Sequence, residues 1–384
     1  MGSNVSTWIG PDKNVGSLIY VDDIAGGGTK NMVTEVGRKL AEMEKKKRYT
    51  FNTDKSNYMI IRTGKEEQEH IEIEVKKRKL KEVDKYKYLG NWIGNKGDAE
   101  EQIKEIERRA NGMIKEIKRM AKDEILGRRN TEARILMYER TVAPTIAYNL
   151  ECWTKISENL GERLERVQGK IIKGLMEVPT TTPYWGILKE LGIWPMKETI
   201  RYQRLMLYQN LMESDEEGLG RKIVMQQESG RKDNWFGETE KAAREVEVKL
   251  EWAVEMKKEQ WKKTIKQKIC NKIKKDVREK QRTSRKMRHQ EGQEWERKGY
   301  LKEMNIEETS RTMKRRLEML DVGNNLGKQR QCKCGEREST EHMISCEETA
   351  GKSIVKKEWL QETENIEKIR KVNDFFNRRL ENRE

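Results

Sequence analysis

One stretch decides how the start of this chain folds: Leu18-Ile19-Tyr20-Val21-Asp22-Asp23-Ile24-Ala25-Gly26-Gly27-Gly28. Its apolar, partly β-branched opening is typical of a strand, and its glycines are typical of the turn that ends one. Two adjacent acids inside an apolar run are costly unless the chain turns or a cation compensates them. Because side chains alternate along a strand, Asp22 and Asp23 cannot both face one site. A plain Asp-Asp turn and a carboxylate that binds a divalent metal both fit this stretch.

Short strands and one helix surround this stretch within the first hundred residues. Residues 58–61 are apolar, and residues 71–75 alternate with the period of a half-buried strand. The apolar residues between Met32 and Met43 have helical spacing. The order strand, helix, strand, strand predicts an α+β segment. Beyond Asp98 the pattern becomes helical, with one apolar stripe made of Ile103, Ile106, Ala110, Met113, Ile114, Ile117 and Met120.

The composition excludes a membrane-spanning chain and favours a polyanionic partner. Charged residues make up 38% of the 384 residues, against roughly 25% in ordinary domains. No run approaches the ~20 apolar residues of a membrane helix, so no membrane partner is expected. The net charge is +15, and nucleic acid is the commonest partner of such a basic chain. Five unevenly spread cysteines fit a reducing compartment, so we expect an intracellular protein, nuclear or cytoplasmic.

Most of this charge lies in residues 257–288, which hold 15 Lys and Arg against 3 Asp and Glu. Apolar residues recur there at every fourth position, on one helical face that drifts slowly around the axis: Trp261, Ile265, Ile269, Ile273 and Val277. A solvated surface helix and a helix that presents cations to phosphates both fit. The excess of one sign favours the second. The predicted phosphate-binding residues are Lys262, Lys263, Lys266, Lys272, Lys274 and Lys275.

A second dense cluster contains Cys332, Cys334, His342 and Cys346, which fall within 15 residues. His342 and Cys346 are one helical turn apart, and Cys332 and Cys334 flank a tight turn in which Gly335 is free to adopt a positive φ. Thiolate and imidazole ligands suit tetrahedral zinc, and four protein ligands predict a structural site. The C-x-C spacing is shorter than the usual C-x2-C, and ordinary reduced thiols are the alternative. His289, by contrast, stands alone among charged residues and is expected to face water.

Ile19-Tyr20-Val21-Asp22-Asp23 resembles the YxDD hairpin of reverse transcriptases, and the downstream order resembles the non-LTR (LINE-type) retrotransposon family. Phe51-Asn52 with Lys55-Ser56 resembles the segment that follows this hairpin. Tyr86-Lys87-Tyr88-Leu89-Gly90 resembles the strand that grips the primer end. Residues 147–153 resemble the post-thumb helix, although Asn149 stands where that family usually has glycine. Residues 175–179 and 191–195 resemble further sequence motifs of this family, so the resemblance covers roughly residues 17 to 210.

The resemblance implies RNA-templated DNA synthesis at a pair of Mg²⁺ ions. In that scheme Asp22 binds metal with Asp23 beside it, and Lys55 lies near the triphosphate of the dNTP. The primer end is held by Tyr86, Lys87, Tyr88, Leu89 and Gly90. The partners are then an RNA template and a DNA primer or target. The family also carries a Cys-Cys-His-Cys zinc knuckle after the thumb and linker, which Cys332, Cys334, His342 and Cys346 resemble.

The expected fold class is an α+β N-terminal remnant of a polymerase palm, followed by a mostly α-helical thumb and linker region and a small zinc knuckle. The partial palm is expected over 1–95 and thumb-like helices over 96–160. The helical linker, with its basic helix at 257–288, is expected over 161–330. The knuckle follows at 331–350, and a C-terminal helix at 351–384. The sequence indicates no particular oligomeric state.

The resemblance places another metal-binding Asp on an earlier palm strand. Only 19 residues precede Tyr20, and Asp12 is the sole acid among them. We therefore expect a C-terminal reverse transcriptase fragment that begins just before the YxDD motif and is inactive on its own. The alternative is a non-catalytic nucleic-acid-binding protein that uses the basic helix and the knuckle. Whether the chain is an enzyme is left open between these two interpretations.

Overall fold

The computed structural model describes residues 17–20, 23–47, 50, 52, 54–60, 72–75, 78–95, 99–120, 131–216, 218–230, 233–322, 331–350 and 355–381. Asp22, the residue expected to bind Mg²⁺, lies outside the described residues. The described part is mostly helical, with paired strands in the first hundred residues and a Cys-His cluster near its end. This confirms the expected order of strands, then helices, then cluster.

The strands are short and pair two by two. The pairs are β1 (Ser17–Tyr20) with β2 (Asp23–Gly26), β3 (Asn57–Tyr58) with β6 (Lys81–Glu82), β4 (Glu74–Val75) with β5 (Arg78–Lys79), and β7 (Lys85–Tyr88) with β8 (Asn91–Gly94). Only β3 and β6 run parallel among these pairs. Of the described residues within the strands expected at 58–61 and 71–75, Tyr58 and Glu74–Val75 lie in strands, whereas residues 59–60 and 72–73 do not.

The helices make up most of the remaining described chain. They are α1 (Lys30–Lys47), α2 (Glu100–Met120), α3 (Thr131–Met137), α4 (Ala143–Ala147), α5 (Glu158–Leu175), α6 (Tyr184–Leu191), α7 (Met196–Met212), α8 (Leu219–Ser229), α9 (Trp235–Glu245), α10 (Glu251–Glu255), α11 (Lys258–Thr283), α12 (Tyr300–Glu303), α13 (Ile306–Arg316), α14 (Thr340–Ser345), α15 (Glu347–Ala350) and α16 (Ile366–Glu381). The helical patterns that begin at Met32 and Ile103 correspond to α1 and α2. Short 3₁₀ segments follow α11 at Arg285–Gln290 and precede α16 at Lys357–Gln361.

The chain divides into two compact units. The first comprises 1–105, 149–160 and 203–262, and the second comprises 106–148, 161–202 and 263–384. In the first unit, side-chain hydrogen bonds join α9 to the 3₁₀ segment Leu150–Cys152 and α7 to the region of α10. Trp235 Nε1 donates to the carbonyl of Glu151 at 2.8 Å, and Gln209 Nε2 donates to the carbonyls of Ala253 and Met256. These bonds satisfy backbone oxygens that would otherwise be buried without partners.

The core of the second unit contains an ion pair between Glu190 of α6 and Arg316 of α13. Both side chains are fully buried. Arg316 Nε lies 3.0 Å from both Glu190 oxygens, and Tyr300 Oη donates to the same carboxylate at 2.7 Å. Gln290 Nε2 also donates to the Glu190 carboxylate, and Arg316 Nη1 donates to the carbonyl of Gln361. Burial raises the pKa of Glu190, but the Arg316 charge and the hydrogen bonds lower it further, so the carboxylate stays ionised.

Replacing Glu190 by Gln should destabilise the second unit by about 3–5 kcal/mol, because Arg316 would keep a buried charge without its partner. Urea unfolding followed by circular dichroism measures this loss. The matched control is Glu307→Gln, which breaks an exposed pair with Arg311 one turn away and should cost less than about 1 kcal/mol. Equal losses in the free energy of unfolding for the two variants would show that the buried pair stabilises the protein no more than the exposed pair does.

Candidate metal centre and basic helix

Cys332, Cys334, His342 and Cys346 come together in the second unit. One ligand atom from each residue lies within 4.8 Å of all the others. Cys332 Sγ and Cys346 Sγ are 3.7 Å apart, and Cys334 Sγ lies 3.3 Å from His342 Nε2. Tetrahedral zinc with Zn–S bonds of ~2.3 Å requires sulfurs about 3.8 Å apart. The four residues could therefore hold a metal ion such as zinc.

The first two ligands lie in a tight loop that its own backbone closes. Gln331 and Arg337 form an isolated antiparallel bridge, and the N–H of Cys332 donates to the carbonyl of Glu336 at 2.8 Å. Gly335 donates back to the carbonyl of Cys332 at 2.9 Å and has a φ of +88°. Because this backbone region favours glycine, Gly335 allows the chain to reverse directly after Cys334, so that Glu336 returns to pair with Cys332. The C-x-C spacing therefore does not prevent convergence.

The other two ligands lie in the first turn of the short helix α14 and directly after its last residue. Ser339 caps its start, with Ser339 Oγ accepting from the N–H of His342 at 3.0 Å. At its end, the N–H of Cys346 donates to the carbonyl of His342 at 2.8 Å. One helical turn thus brings the imidazole and the third thiol to the same side, as the spacing predicts. The cap at Ser339 was missed by the sequence analysis, although a serine three residues before His342 is a recognisable start signal.

A carboxylate orients the histidine ligand. Glu336 lies 3.0 Å from His342 Nδ1, which leaves Nε2 on the side of Cys334. Metal-binding histidines commonly use their second nitrogen in this way. The backbone N–H of Glu336 lowers the pKa of Cys334, but some loss of hydration and the neighbouring thiols of Cys332 and Cys346 raise it to about 11. A bound dication would reverse this effect, since it would stabilise the thiolates that otherwise repel one another.

An apolar cluster lies beneath the metal centre. Met343 and Ile344 of α14 are buried in this cluster. Its other buried members come from the chain before and after α14: Leu320, Val322, Val355, Leu360, Val372 and Phe376. Trp359 and Phe375 pack against this cluster while remaining partly exposed. The helix that carries His342 is therefore anchored in this cluster by Met343 and Ile344. The metal centre and the C-terminal helix α16 share one core.

His289 corrects an expectation of the sequence analysis. It was expected to face water, but it is only 3% exposed and lies 2.5 Å from the carboxylate of Glu318. Arg288 and Thr340 donate to the same carboxylate. Burial raises the pKa of Glu318, but the bonds from His289 and Arg288 lower it further, to about 2. The expectation was wrong because the partner lies 29 residues away, where local charge gives no indication of it.

The helix α11 has the buried stripe that its sequence predicts. Trp261, Ile265, Ile269 and Ile273 are fully buried, and Val277 is nearly so. Burial of these five side chains fixes the rotation of the helix about its axis. Lys263, Lys266 and Lys275 consequently lie on the exposed side.

The six predicted phosphate-binding lysines differ in their surroundings. Lys263 and Lys275 form no ion pair with another described residue, and the Lys266 ammonium lies 5.9 Å from the ring of Tyr202. Lys262 is 3.8 Å from Glu259. Lys272 contacts the carboxylates of Glu198 and Asp276 at 3.3 and 2.6 Å, and Lys274 contacts Glu294 at 2.5 Å. Three of the six are therefore free of close carboxylates.

The residues predicted for polymerase chemistry lie on local turns and hairpins. The β1–β2 ladder ends with Tyr20 opposite Asp23, and Asp22, between them, is outside the described residues. Lys55 is exposed, in a turn closed by Asn52 Oδ1, which accepts from the N–H of Lys55 at 3.1 Å. Among the described residues, no second group of three or more His, Cys, Asp or Glu side chains forms a metal-ligand cluster.

The predicted primer-binding segment forms a hairpin. Lys85–Tyr88 and Asn91–Gly94 pair in antiparallel fashion, so Tyr86, Lys87 and Tyr88 lie on β7. Leu89 and Gly90 were expected to belong to the same strand, but they form its turn, with φ values of +46° and +84°. A two-residue turn with both φ positive matches the twist of the flanking strands. Tyr86 and Leu89 are exposed at this end.

No family model, curated protein or solved structure matches this chain. Within the described ranges, no helix is both long enough and apolar enough to cross a membrane.

The purified chain should contain about one zinc ion, and Cys334→Ala should lose it because three ligands bind a structural zinc far more weakly than four. Elemental analysis after dialysis measures the metal content. Cys270→Ala is the matched control, since Cys270 lies on α11 outside the cluster. Equal zinc content in wild type and Cys334→Ala, or loss in both variants, would contradict the assignment.

Proposed function

We propose that this chain binds nucleic acid, with the lysines of α11 contacting phosphates and a zinc ion at the Cys-His cluster stabilising the C-terminal part. The observation that carries the proposal is the exposed cationic side of α11. Its apolar stripe is completely buried, so the orientation of the lysines follows from packing. Ammonium groups bind phosphates as point charges with little dependence on sequence. We therefore expect strong salt dependence and weak sequence preference.

The free lysines are the ones that support this function. Lys263 and Lys275 are exposed without a carboxylate partner among the described residues, and Lys266 is exposed beside an aromatic ring. Lys272, by contrast, is held between Glu198 and Asp276, so a phosphate would have to displace these two carboxylates. We assign phosphate binding chiefly to Lys263, Lys266 and Lys275.

The proposed zinc ion has a structural role. All four cluster positions are protein ligands, so a tetrahedral ion has no open coordination site for a substrate. The helix α14, which carries His342, packs on the same apolar cluster as α16. Binding of the metal would fix the loop of Cys332 and Cys334 onto that core. The ion therefore contributes folding energy rather than chemistry.

Replacing Lys263, Lys266 and Lys275 together by Gln should weaken nucleic-acid binding about tenfold or more at 0.1 M KCl. The slope of log affinity against log salt should fall by up to about 3, because up to three phosphate contacts are lost. Fluorescence anisotropy with a labelled single-stranded RNA and a DNA duplex measures both quantities. Glutamine retains the helix propensity of lysine, so the fold should not change.

The control for this triple variant removes the same charge elsewhere. Lys241, Lys249 and Lys302 are exposed and lie outside α11, and their joint replacement by Gln should change the slope by much less. If both triple variants weaken binding equally, the effect is one of net charge and the assignment to α11 is wrong. Absence of binding by the wild-type chain would refute the proposal itself.

A reverse transcriptase of the non-LTR type is a second candidate, favoured by the β1–β2 hairpin. Tyr20 and Asp23 form the last pair of its ladder, and a hairpin at this position supports the YxDD resemblance. In this candidate Asp22 binds Mg²⁺, and the hairpin at Lys85–Gly94 holds the primer end.

Primer extension tests the second candidate. Purified chain would be given an RNA template, a DNA primer, dNTPs and Mg²⁺. Extension that is lost in Asp22→Ala, with nucleic-acid binding unchanged, would support the candidate and overturn the expectation that the chain is inactive on its own. No extension by a chain that binds template and primer normally would leave binding as the function of this chain.

A further inference from the structure

A small cavity lies in the second unit, beside the C-terminal half of α11. The segment from Gly292 to Trp295 and the end of α6 form its other sides. Its volume is about 70 Å³, and it is lined by Lys189, Lys274, Val277, Arg278, Gln281, Gly292, Gln293, Glu294 and Trp295. Neither the metal centre nor the three lysines assigned to phosphate binding takes part in this lining.

The lining is strongly cationic. Lys189, Lys274 and Arg278 contribute three positive groups, against one carboxylate from Glu294. Lys189 is only 3% exposed, and its ammonium donates to the carbonyl of Gln290 at 2.8 Å. Burial, with some help from the Lys298 charge, lowers the pKa of Lys189 to about 8, so it still carries its proton at neutral pH. A buried ammonium with unused N–H groups favours an anion beside it.

Two further donors in the lining are buried without partners. Gln281 Nε2 and Trp295 Nε1 are both shielded from solvent, and neither has a hydrogen-bond partner among the described residues. Most buried donors in proteins have a partner, and an ion or a water that completes the bonding is one explanation for those that lack one. Both belong to residues that line the cavity. Two orphaned N–H donors among three cations point to an acceptor that carries negative charge.

The chain itself places one anion next to this cavity. The Glu294 carboxylate lies 2.5 Å from the Lys274 ammonium. The bond from Lys274 lowers the pKa of Glu294, and the charges of Arg278 and Lys189 lower it further. Three cations of the lining thus act on one carboxylate, although that side chain is more than half exposed. Glu294 neutralises only one of the three positive groups, which leaves a net charge of +2.

The size of the cavity limits what can enter. A cavity holds one water when its volume on this scale is about 10–15 Å³, so 70 Å³ accommodates a group of a few heavy atoms. Pockets for nucleotide-sized ligands are commonly 300 Å³ or more. A tetrahedral oxyanion has the right size and offers several acceptors for donors that converge from different elements.

We propose that this cavity binds one phosphoryl group, held by Lys189, Lys274 and Arg278 with bonds from Gln281 Nε2 and Trp295 Nε1. The group could be free inorganic phosphate or a phosphate of a nucleic acid, because both present the same oxygens. The inference does not depend on nucleic-acid binding by α11.

Inorganic phosphate is the first probe, titrated by calorimetry into the full chain in HEPES and KCl. Arg278→Gln should weaken binding about tenfold, because a charge-assisted hydrogen bond is lost. Glu294→Gln should strengthen binding several-fold, since the competing carboxylate is removed. Arg282→Gln is the matched control: Arg282 is exposed one turn further along α11 and does not line the cavity.

The binding measurements on these variants can overturn the proposal of a phosphoryl site. Equal effects of Arg278→Gln and Arg282→Gln, no gain from Glu294→Gln, or no phosphate binding would overturn it. The Lys263, Lys266 and Lys275 triple variant should retain phosphate binding, so failure of the proposed function is distinguishable from failure of this one.

Competition identifies the source of the phosphoryl group. If an oligonucleotide bearing a 5′-phosphate displaces inorganic phosphate while its 5′-hydroxyl counterpart does not, the cavity accepts a terminal phosphate. Displacement by both oligonucleotides indicates a backbone phosphate, and displacement by neither indicates free phosphate. All three results require phosphate binding in the cavity and therefore support the proposal.

Discussion

The ion pair between Glu190 and Arg316 is the contact on which the second unit depends. It joins α6 to α13, and through Tyr300 and Gln290 it also holds α12 and the 3₁₀ segment after α11. A buried ion pair of this kind often adds little net stability compared with an apolar pair, because both charges lose their hydration. What it imposes is geometry, since each partner must find all its bonds in one arrangement. The cavity beside α11 shares this neighbourhood through Lys189, the residue before Glu190.

Polar groups inside the protein follow from its composition. Only 34% of residues are hydrophobic, which is too few to fill the interior of a chain of this length with apolar side chains alone. Arg315, Glu318 and Lys298 are buried together with the central ion pair. Their hydrogen bonds carry specificity that apolar packing would otherwise provide. A metal ion held by Cys332, Cys334, His342 and Cys346 would add stability that apolar packing does not supply, because four ligands would cross-link this region.

Periodicity and ligand spacing predicted the elements that rest on local rules. The stripe of α11 from Trp261 to Val277 is buried as its spacing predicts, and the four cluster residues converge because a turn and a helix bring them together. The sequence could not predict features that depend on distant partners. His289 is buried by Glu318, and Lys272 is occupied by Glu198. The cavity lining likewise combines residues about one hundred positions apart, so no local pattern reveals it.

The spacing of the α11 stripe has a consequence for the shape of its exposed surface. Four residues advance an α-helix by about 400°, so each step of the stripe rotates by about 40°. Across the four steps from Trp261 to Val277, the buried line turns by roughly 160° around the axis. The cationic surface on the opposite side must therefore wind around the helix axis by the same angle. A straight and rigid partner would contact only part of that surface, whereas a flexible strand can follow it around the helix.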